Sequence, residues 1–110
     1  MNNYAITPKV KQLTHSKRRS FYLMTSTKYY VTLGWSGGSR CYYSLLDFTT
    51  GKELEIKGAG DNFSKQTETQ DMPVNSILIE TGMFNGKPSL PRIMCRPEQE
   101  DEVKKYLGIC

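Results

Sequence analysis

The feature that most constrains the fold is a series of short segments rich in β-branched and aromatic residues, each followed by a turn signal. Four of them precede residue 60, at residues 21–26, 28–35, 40–48 and 53–57. Alternation of apolar and polar residues is typical of strands with one buried face, and short Gly-bearing breaks are typical of antiparallel connections. The sequence therefore predicts a strand meander over residues 20–57.

The second half of the chain predicts a loop, a hairpin and a helix. Residues 58–74 are polar and nearly free of apolar side chains, which indicates a long loop. Residues 75–95 hold two apolar segments on either side of Asn85 and Gly86, a dipeptide typical of tight hairpin turns. Over residues 97–107, a proline and a group of acids precede an apolar stripe and two lysines, which is the charge order that favours a helix.

The N-terminal segment, residues 1–19, is basic. Thr7 and Pro8 suit the cap and the first turn of a short helix. The stretch from His15 to Arg19 carries three cations and is typical of a basic arm that leads into the first strand.

Together these segments predict a single domain, residues 1–110, of the α+β, mainly β class. We expect a small antiparallel sheet or partly open barrel of about six strands, with a C-terminal helix packed on it. A sheet with unpaired edges can also add a strand from a second copy, so homo-oligomer formation stays open.

The sequence predicts a cytoplasmic chain without a membrane partner. It contains no long apolar run and no basic stretch followed by an apolar one near its start. Its three cysteines are too widely spaced for a disulfide framework or a zinc site, which favours a reducing compartment. Cys41 and Cys95 lie in predicted strands and are expected to be buried, whereas Cys110 is expected to be exposed.

Charge is distributed unevenly along the chain. Residues 1–46 contain seven Lys or Arg and no Asp or Glu, whereas the remainder contains eight Lys or Arg against 11 Asp or Glu. A sustained positive field over part of a small fold attracts polyanions through steering and counterion release. An anionic partner is the leading expectation, and mutual neutralisation of basic and acidic strips across the fold is the alternative.

Basic and aromatic residues alternate along the first strands, so that a meander would bring the second faces of three strands onto one surface. Such a surface combines cations for phosphate contacts with tyrosine rings on which bases can stack. The expected nucleic-acid-binding residues are Arg18, Arg19, Tyr22, Lys28, Tyr30, Arg40 and Tyr42. A C-terminal helix packed on the same face would cover these rings, and exposed Tyr with Arg equally suits a protein interface.

Catalysis is the weakest functional class for this sequence. His15 is the only histidine and lies in a basic segment, so a Cys-His or Ser-His pair would require an accidental meeting with Cys41 or Cys95 in the fold. The acids between residues 98 and 102 are explained by the positive end of a helix, and the Gly-containing turns lack the spacing of a phosphate loop. We therefore expect no enzyme activity, no cofactor and no metal.

The sequence favours a non-enzymatic nucleic-acid-binding protein with a basic, Tyr-rich sheet face, and leaves DNA and RNA equally open. Two alternatives remain. In its Lys-, Asn- and Tyr-rich composition the chain is similar to many accessory proteins of bacterial viruses, which favours a small protein that binds and inhibits a host protein in the host cytoplasm. The other alternative is a pocket for a small anionic nucleotide, built from the same Tyr and Arg residues.

Overall fold

A mixed β-sheet of seven strands forms the centre of the structure, a computed structural model that describes residues 2–31, 40–56, 69–84 and 86–109. The strands are β1 (Asn2–Ala5), β2 (Ser20–Thr25), β3 (Lys28–Tyr29), β4 (Arg40–Asp47), β5 (Glu53–Leu54), β6 (Gln70–Asp71), β7 (Ser76–Phe84), β8 (Lys87–Pro88) and β9 (Arg92–Cys95). The helices are α1 (Pro8–Thr14) and α2 (Glu100–Leu107), the second preceded by a 3-10 turn at Pro97–Gln99.

Strand order across the sheet is β1-β2-β9-β7-β4-β5, with β8 paired to β7, while β3 and β6 form a separate two-stranded ribbon. The predicted class is confirmed, because strands dominate, a helix follows them and the described sheet is not closed into a barrel. The predicted meander is wrong for β2, which pairs with β1 and β9 and not with its chain neighbour β3, and is confirmed for β4 and β5, which pair antiparallel. The sheet is also not purely antiparallel, because β2 and β9 run parallel.

Burial explains this strand order. In β7 the successive residues Ile77, Leu78 and Ile79 are all buried, so both faces of this strand are covered. In β9 Ile93 and Cys95 are buried on one face, and the partly buried Met94 packs against the core on the other. Strands that carry apolar side chains on both faces are most stable where both faces are covered. β7 and β9 therefore take central positions, and β2 pairs with β9, the last strand in the chain.

The predicted hairpin over residues 75–95 is confirmed in its pairing. β7 runs antiparallel to both β8 and β9. Gly86 adopts a φ of +77°, a left-handed conformation that glycine reaches without strain, whereas Asn85 lies outside the described residues.

The predicted loop over residues 58–74 is wrong at its C-terminal end. Gln70 and Asp71 form β6, and the side chain of Met72 is buried. The backbone N–H of Met72 donates to the carbonyl of Thr27 at 2.8 Å, so this segment is fixed against the start of β3. Residues 57–68 and the predicted hairpin loop at 36–39 lie outside the described residues.

A shared cap joins the two helices. Thr7 Oγ1 accepts a hydrogen bond from the backbone N–H of Val10 at 3.2 Å and donates to the carbonyl of Leu107 at the end of α2. Gly108 ends α2 with a φ of +81°, as its position after the apolar stripe predicts. No helix in the described part of the chain is long and apolar enough to cross a membrane.

The two faces of the sheet carry cores of different size. On the face covered by the helices, here called the helix face, the core comprises Val10, Phe21, Leu23, Ile77, Ile79, Ile93, Cys95, Val103 and Leu107. On the opposite face, here called the ribbon face, a smaller core against the β3–β6 ribbon comprises Tyr29, Val31, Leu45, Met72 and Leu78. The C-terminal helix therefore lies away from the ribbon face.

The described cysteines differ in exposure. Cys95 is buried, as predicted, but Cys41 is exposed, and its predicted burial is wrong. Cys41 pairs across β4 and β7 with Gly82, which has no side chain to cover it. Cys110 lies outside the described residues.

Candidate nucleic-acid interface

A cleft of about 370 Å³ opens on the ribbon face. Its described lining residues are Met24, Tyr30, Cys41, Tyr43, Leu78, Glu80, Arg92 and Met94. Tyrosine rings and methionine side chains give it an apolar and polarisable surface, while one carboxylate and one guanidinium supply charges of opposite sign. A small cleft with mostly apolar walls and a few polar groups is suited to a planar ligand with polar edges.

Strand register fixes the position of the charged pair. Glu80 of β7 lies opposite Tyr43 of β4 on one side and opposite Arg92 of β9 on the other. Arg92 Nε is 3.7 Å from Glu80 Oε1, and the two side chains are 49% and 30% exposed. The carboxylate is therefore held between an aromatic ring and a cation, in partial contact with solvent.

Tyr22 extends this surface beyond the cleft. It is the parallel partner of Arg92 across β2 and β9, as Met24 is of Met94. Because side chains alternate along a strand, Tyr22 shares the ribbon face with Met24, while Phe21 and Leu23 enter the core of the helix face. The structure thus brings Tyr22 to the same face as the cleft, as expected from the sequence.

Tyr30 lines the cleft directly and is 52% exposed. The alternation predicted for this segment is confirmed where it is described, because Tyr29 and Val31 are buried and Lys28 and Tyr30 are exposed. The remainder of the predicted strand, residues 32–35, lies outside the described residues.

Tyr42 does not join this surface, so its expected placement beside Tyr22 and Tyr30 is wrong. It is 54% exposed, but it lies on the helix-face side of β4 together with Ser44 and Leu46, which line a second cleft against α1. The cause is the register of β4 with β7, which turns Tyr43 toward the ribbon face.

Cations gather at the end of the sheet where β2 and β9 begin, here called the basic end. Its described members are Lys17, Arg18 and Arg19 before β2, Lys87 in β8 and Arg92 in β9. Arg18 and Arg19 are exposed in the turn, and the Arg19 carbonyl accepts from the N–H of Ile6 at 2.9 Å. The backbone of Arg40 begins β4 at the same end, opposite Met83, while its side chain lies outside the described part.

Acids gather at the other end of the sheet. Asp47 ends β4, and the acids between residues 98 and 102 follow β9. In the sequence, positive charge is concentrated in the first 46 residues and negative charge in the remainder. In the fold, many of these charges lie at opposite ends of the strands. A polyanion is therefore attracted to the basic end. At the other end Arg96 and Lys104 lie beside Glu98 and Glu100, so positive and negative charges are mixed there.

Lys28 is placed differently from the other expected cations. Its Nζ donates to Asp71 Oδ1 at 2.9 Å in the ribbon, and this hydrogen bond lowers the pKa of the Asp71 carboxyl. Such an exposed pair adds little stability, but it neutralises the charge that a phosphate would need. Of the expected phosphate contacts, Arg18 and Arg19 thus lie at the basic end and Lys28 does not.

Sequence reasoning missed Tyr43, Glu80 and Arg92. Glu80 and Arg92 lie outside the acid-free first 46 residues on which the prediction was based, and Tyr43 was assigned to the opposite face of its strand from Tyr42. Arg92 was nevertheless detectable, because Ile93 and Cys95 alternate with it and mark one buried face of a strand, which leaves Arg92 on the other face.

Other chemistry-bearing residues have structural roles. His15 has a φ of 54° and its backbone N–H donates to the Lys11 carbonyl at the end of α1. Burial, with the nearby carboxylates of Glu100 and Glu98, raises the pKa of the Cys95 thiol to about 11. Among the described residues no group of three or more His, Cys, Asp or Glu is arranged to hold a metal ion.

Comparison with known proteins gives no relative for this arrangement: no family model matches the chain, and no curated protein and no solved structure matches it.

Proposed function

We propose that the protein binds single-stranded nucleic acid and catalyses no reaction, with unpaired bases on the ribbon face and phosphates at the basic end. The observation that carries the proposal is the position of Arg92, which begins β9 among the cations of the basic end and also lines the cleft. Phosphate attraction and an aromatic binding surface therefore meet at one place.

Stacking supplies the first part of the affinity. The exposed ring of Tyr30 lines the cleft, and Tyr22 lies on the same face beside Arg92. A base stacked on an aromatic side chain contributes about 1–3 kcal/mol. A base reaches such a surface when it is unpaired, which favours a single strand over a duplex.

Phosphate contacts supply the second part. Lys17, Arg18, Arg19 and Lys87 are all exposed at the basic end. Each phosphate neutralised on a single strand releases counterions, and the logarithm of the affinity falls by roughly 0.7 per contact for each tenfold rise in salt. Three contacts predict a loss of about tenfold to twentyfold between about 50 and about 200 mM salt.

The test is fluorescence anisotropy of labelled single-stranded and duplex oligonucleotides, as DNA and as RNA, at these two salt concentrations. We expect the single strands to bind more tightly, and the Arg18→Ala/Arg19→Ala variant to bind more weakly with a smaller salt dependence. Lys28→Ala/Lys52→Ala is the matched control, because it removes the same charge from exposed positions away from the basic end. A flat salt response, or equal losses in both double variants, would contradict the proposal.

Absence of binding at low salt would remove the proposal altogether. A stoichiometric complex with one host protein that survives nuclease treatment would then identify a protein-binding inhibitor in its place.

A second candidate function is binding of a small anionic nucleotide. The cleft volume of about 370 Å³ falls within the range of small-molecule sites and favours it. Thermal stabilisation by a mononucleotide or cyclic dinucleotide, with none by an oligonucleotide, would support this candidate, since a ligand that binds the folded state raises the melting temperature.

A further inference from the structure

We infer that the cleft selects an unpaired guanine, and that the Glu80 carboxylate accepts the hydrogen bonds by which guanine is recognised. The inference rests on the proposed function and names the base that the same site takes.

Glu80 is the only acid among the described residues that line the cleft. Its carboxylate offsets the charge of Arg92, so the described lining of the cleft attracts a phosphate less than the basic end does. Phosphates are attracted instead to the exposed cations of the basic end, and Arg92 lies between those cations and the cleft. With the base in the cleft and its phosphates at the basic end, the base contacts the Glu80–Arg92 pair and the phosphates contact the cations.

The hydrogen-bonding capacity of a carboxylate selects among the bases. A carboxylate only accepts, and its two oxygens match two donors placed side by side. Guanine presents such a pair, the ring N1–H and the exocyclic amino group at C2. Adenine and cytosine place one amino group beside a ring nitrogen that also accepts, and thymine and uracil place one N–H between two carbonyls. These four bases bring an acceptor against one carboxylate oxygen.

Arg92 completes the match. Its Nε lies 3.7 Å from Glu80 Oε1, so the guanidinium and the carboxylate present donors and acceptors side by side. The O6 atom of guanine neighbours N1–H and accepts from a guanidinium, as in the commonest contact between arginine and guanine. Tyr30 and Tyr43 line the same cleft and provide aromatic surface for the purine ring.

The experiment compares oligothymidylates of about 12 nucleotides that carry one central guanine, hypoxanthine, adenine or cytosine, with oligouridylate counterparts as the RNA arm. We expect guanine to raise the affinity about tenfold over adenine, cytosine or thymine. Hypoxanthine lacks the amino group at C2 and is expected to fall between guanine and the other bases.

Glu80→Gln is the decisive variant, because an amide keeps the size of the side chain but has one acceptor oxygen. We expect it to lose the guanine preference and to retain the salt dependence of binding. Glu53→Gln is the matched control, since Glu53 lines the second cleft on the helix face. Equal affinity for all four bases, with salt-dependent binding preserved, would overturn the inference and leave the proposed function standing. Failure of every oligonucleotide to bind would overturn both.

Cys41 provides a second measurement that needs no change at Glu80. It is exposed and lines the cleft, whereas Cys95 is buried with a raised thiol pKa. In a Cys110→Ser background, alkylation of Cys41 by iodoacetamide should be slowed severalfold by the guanine-bearing oligonucleotide and less by plain oligothymidylate. An unchanged rate at saturating guanine oligonucleotide would place the base elsewhere and overturn the inference.

Discussion

The helix face and the ribbon face are built by the same strands, yet they differ in what their side chains contact. Phe21 is fully buried beneath the helices, and its chain neighbour Tyr22 lies on the ribbon face beside Arg92. The helix face holds a continuous apolar core, whereas the ribbon face divides into a small core and a cleft with a charged pair. The alternation of a strand thus separates residues that stabilise the fold from residues that are available to a ligand.

The largest expected effect contrasts these neighbours. Phe21→Ala should lower the free energy of unfolding by about 3–5 kcal/mol, because it leaves a cavity in the core beside Tyr4 and Ile93. Tyr22→Ala should lower it by no more than about 1 kcal/mol. Urea unfolding followed by far-UV circular dichroism measures both, and similar losses of unfolding free energy in the two variants would contradict the distinction between the faces.

The second effect concerns binding and uses a matched pair of tyrosines. Tyr30 and Tyr42 are 52% and 54% exposed, but only Tyr30 lines the cleft on the ribbon face. Tyr30→Ala should weaken binding of a single-stranded oligonucleotide by about 1–3 kcal/mol, whereas Tyr42→Ala should leave it unchanged. Anisotropy titrations compare them, and a loss with Tyr42→Ala alone would move the binding surface to the helix face.

A smaller effect on stability is expected from the cap that joins the two helices on the helix face. Thr7→Ala removes the cap of α1 and the hydrogen bond to the Leu107 carbonyl, and should cost about 1 kcal/mol of unfolding free energy. Thr7→Ser keeps the hydroxyl and should restore most of it. Thermal unfolding reports the change, while oligonucleotide affinity should stay constant in both variants, since Thr7 belongs to the helices and not to the cleft.

The smallest effect is a pH dependence that belongs to neither face. Hydrogen bonds from the Thr49 hydroxyl and from backbone N–H groups of Thr49 and Thr50 lower the pKa of the Asp47 carboxyl. Because the folded-state pKa lies below the unfolded value of about 3.9, this stabilisation is present above that value and is lost as the pH falls through the folded-state pKa.

Asp47→Asn tests this dependence. The stability difference between the natural chain and the variant should be largest near neutral pH and should shrink as the pH falls below about 4. Urea midpoints measured over a pH series check it, and a difference that grows on acidification would contradict the assigned direction.

Local features and hairpin partners were predictable from the sequence, whereas pairing between strands distant in the chain was not. Thr7, Pro8 and Gly108 mark helix ends because capping depends on nearest neighbours along the chain. Tyr29 and Tyr30 divide between core and surface because alternation is also local. These signals explain why the class, the hairpin and both helices were found.

Pairing between distant strands depends on which apolar faces meet in three dimensions. Nothing near β2 indicates that residue 22 pairs with residue 92, so a meander of chain neighbours was the expectation. The wrong placement of Tyr42 has the same cause, because the face of the sheet on which Tyr42 lies depends on the register of β4 with β7. The sequence therefore predicted part of the candidate site, namely Tyr22 and Tyr30. Tyr43, Glu80 and Arg92 share the cleft only because of how their strands pair.

The insertion of β9 between β2 and β7 has a consequence for the order of folding. Until residues 92–95 are available, β2 and β7 have no common partner and the sheet stays in two parts. Contacts between segments so far apart in the chain carry a large loop-closure cost, which slows folding. A ribosome therefore releases almost all of the sheet-forming residues before the sheet can be completed. Arg92 and Glu80 meet when the β7–β9 hairpin forms, and Tyr22 joins them when β2 pairs with β9, so the proposed binding surface is completed by the same pairing that completes the sheet.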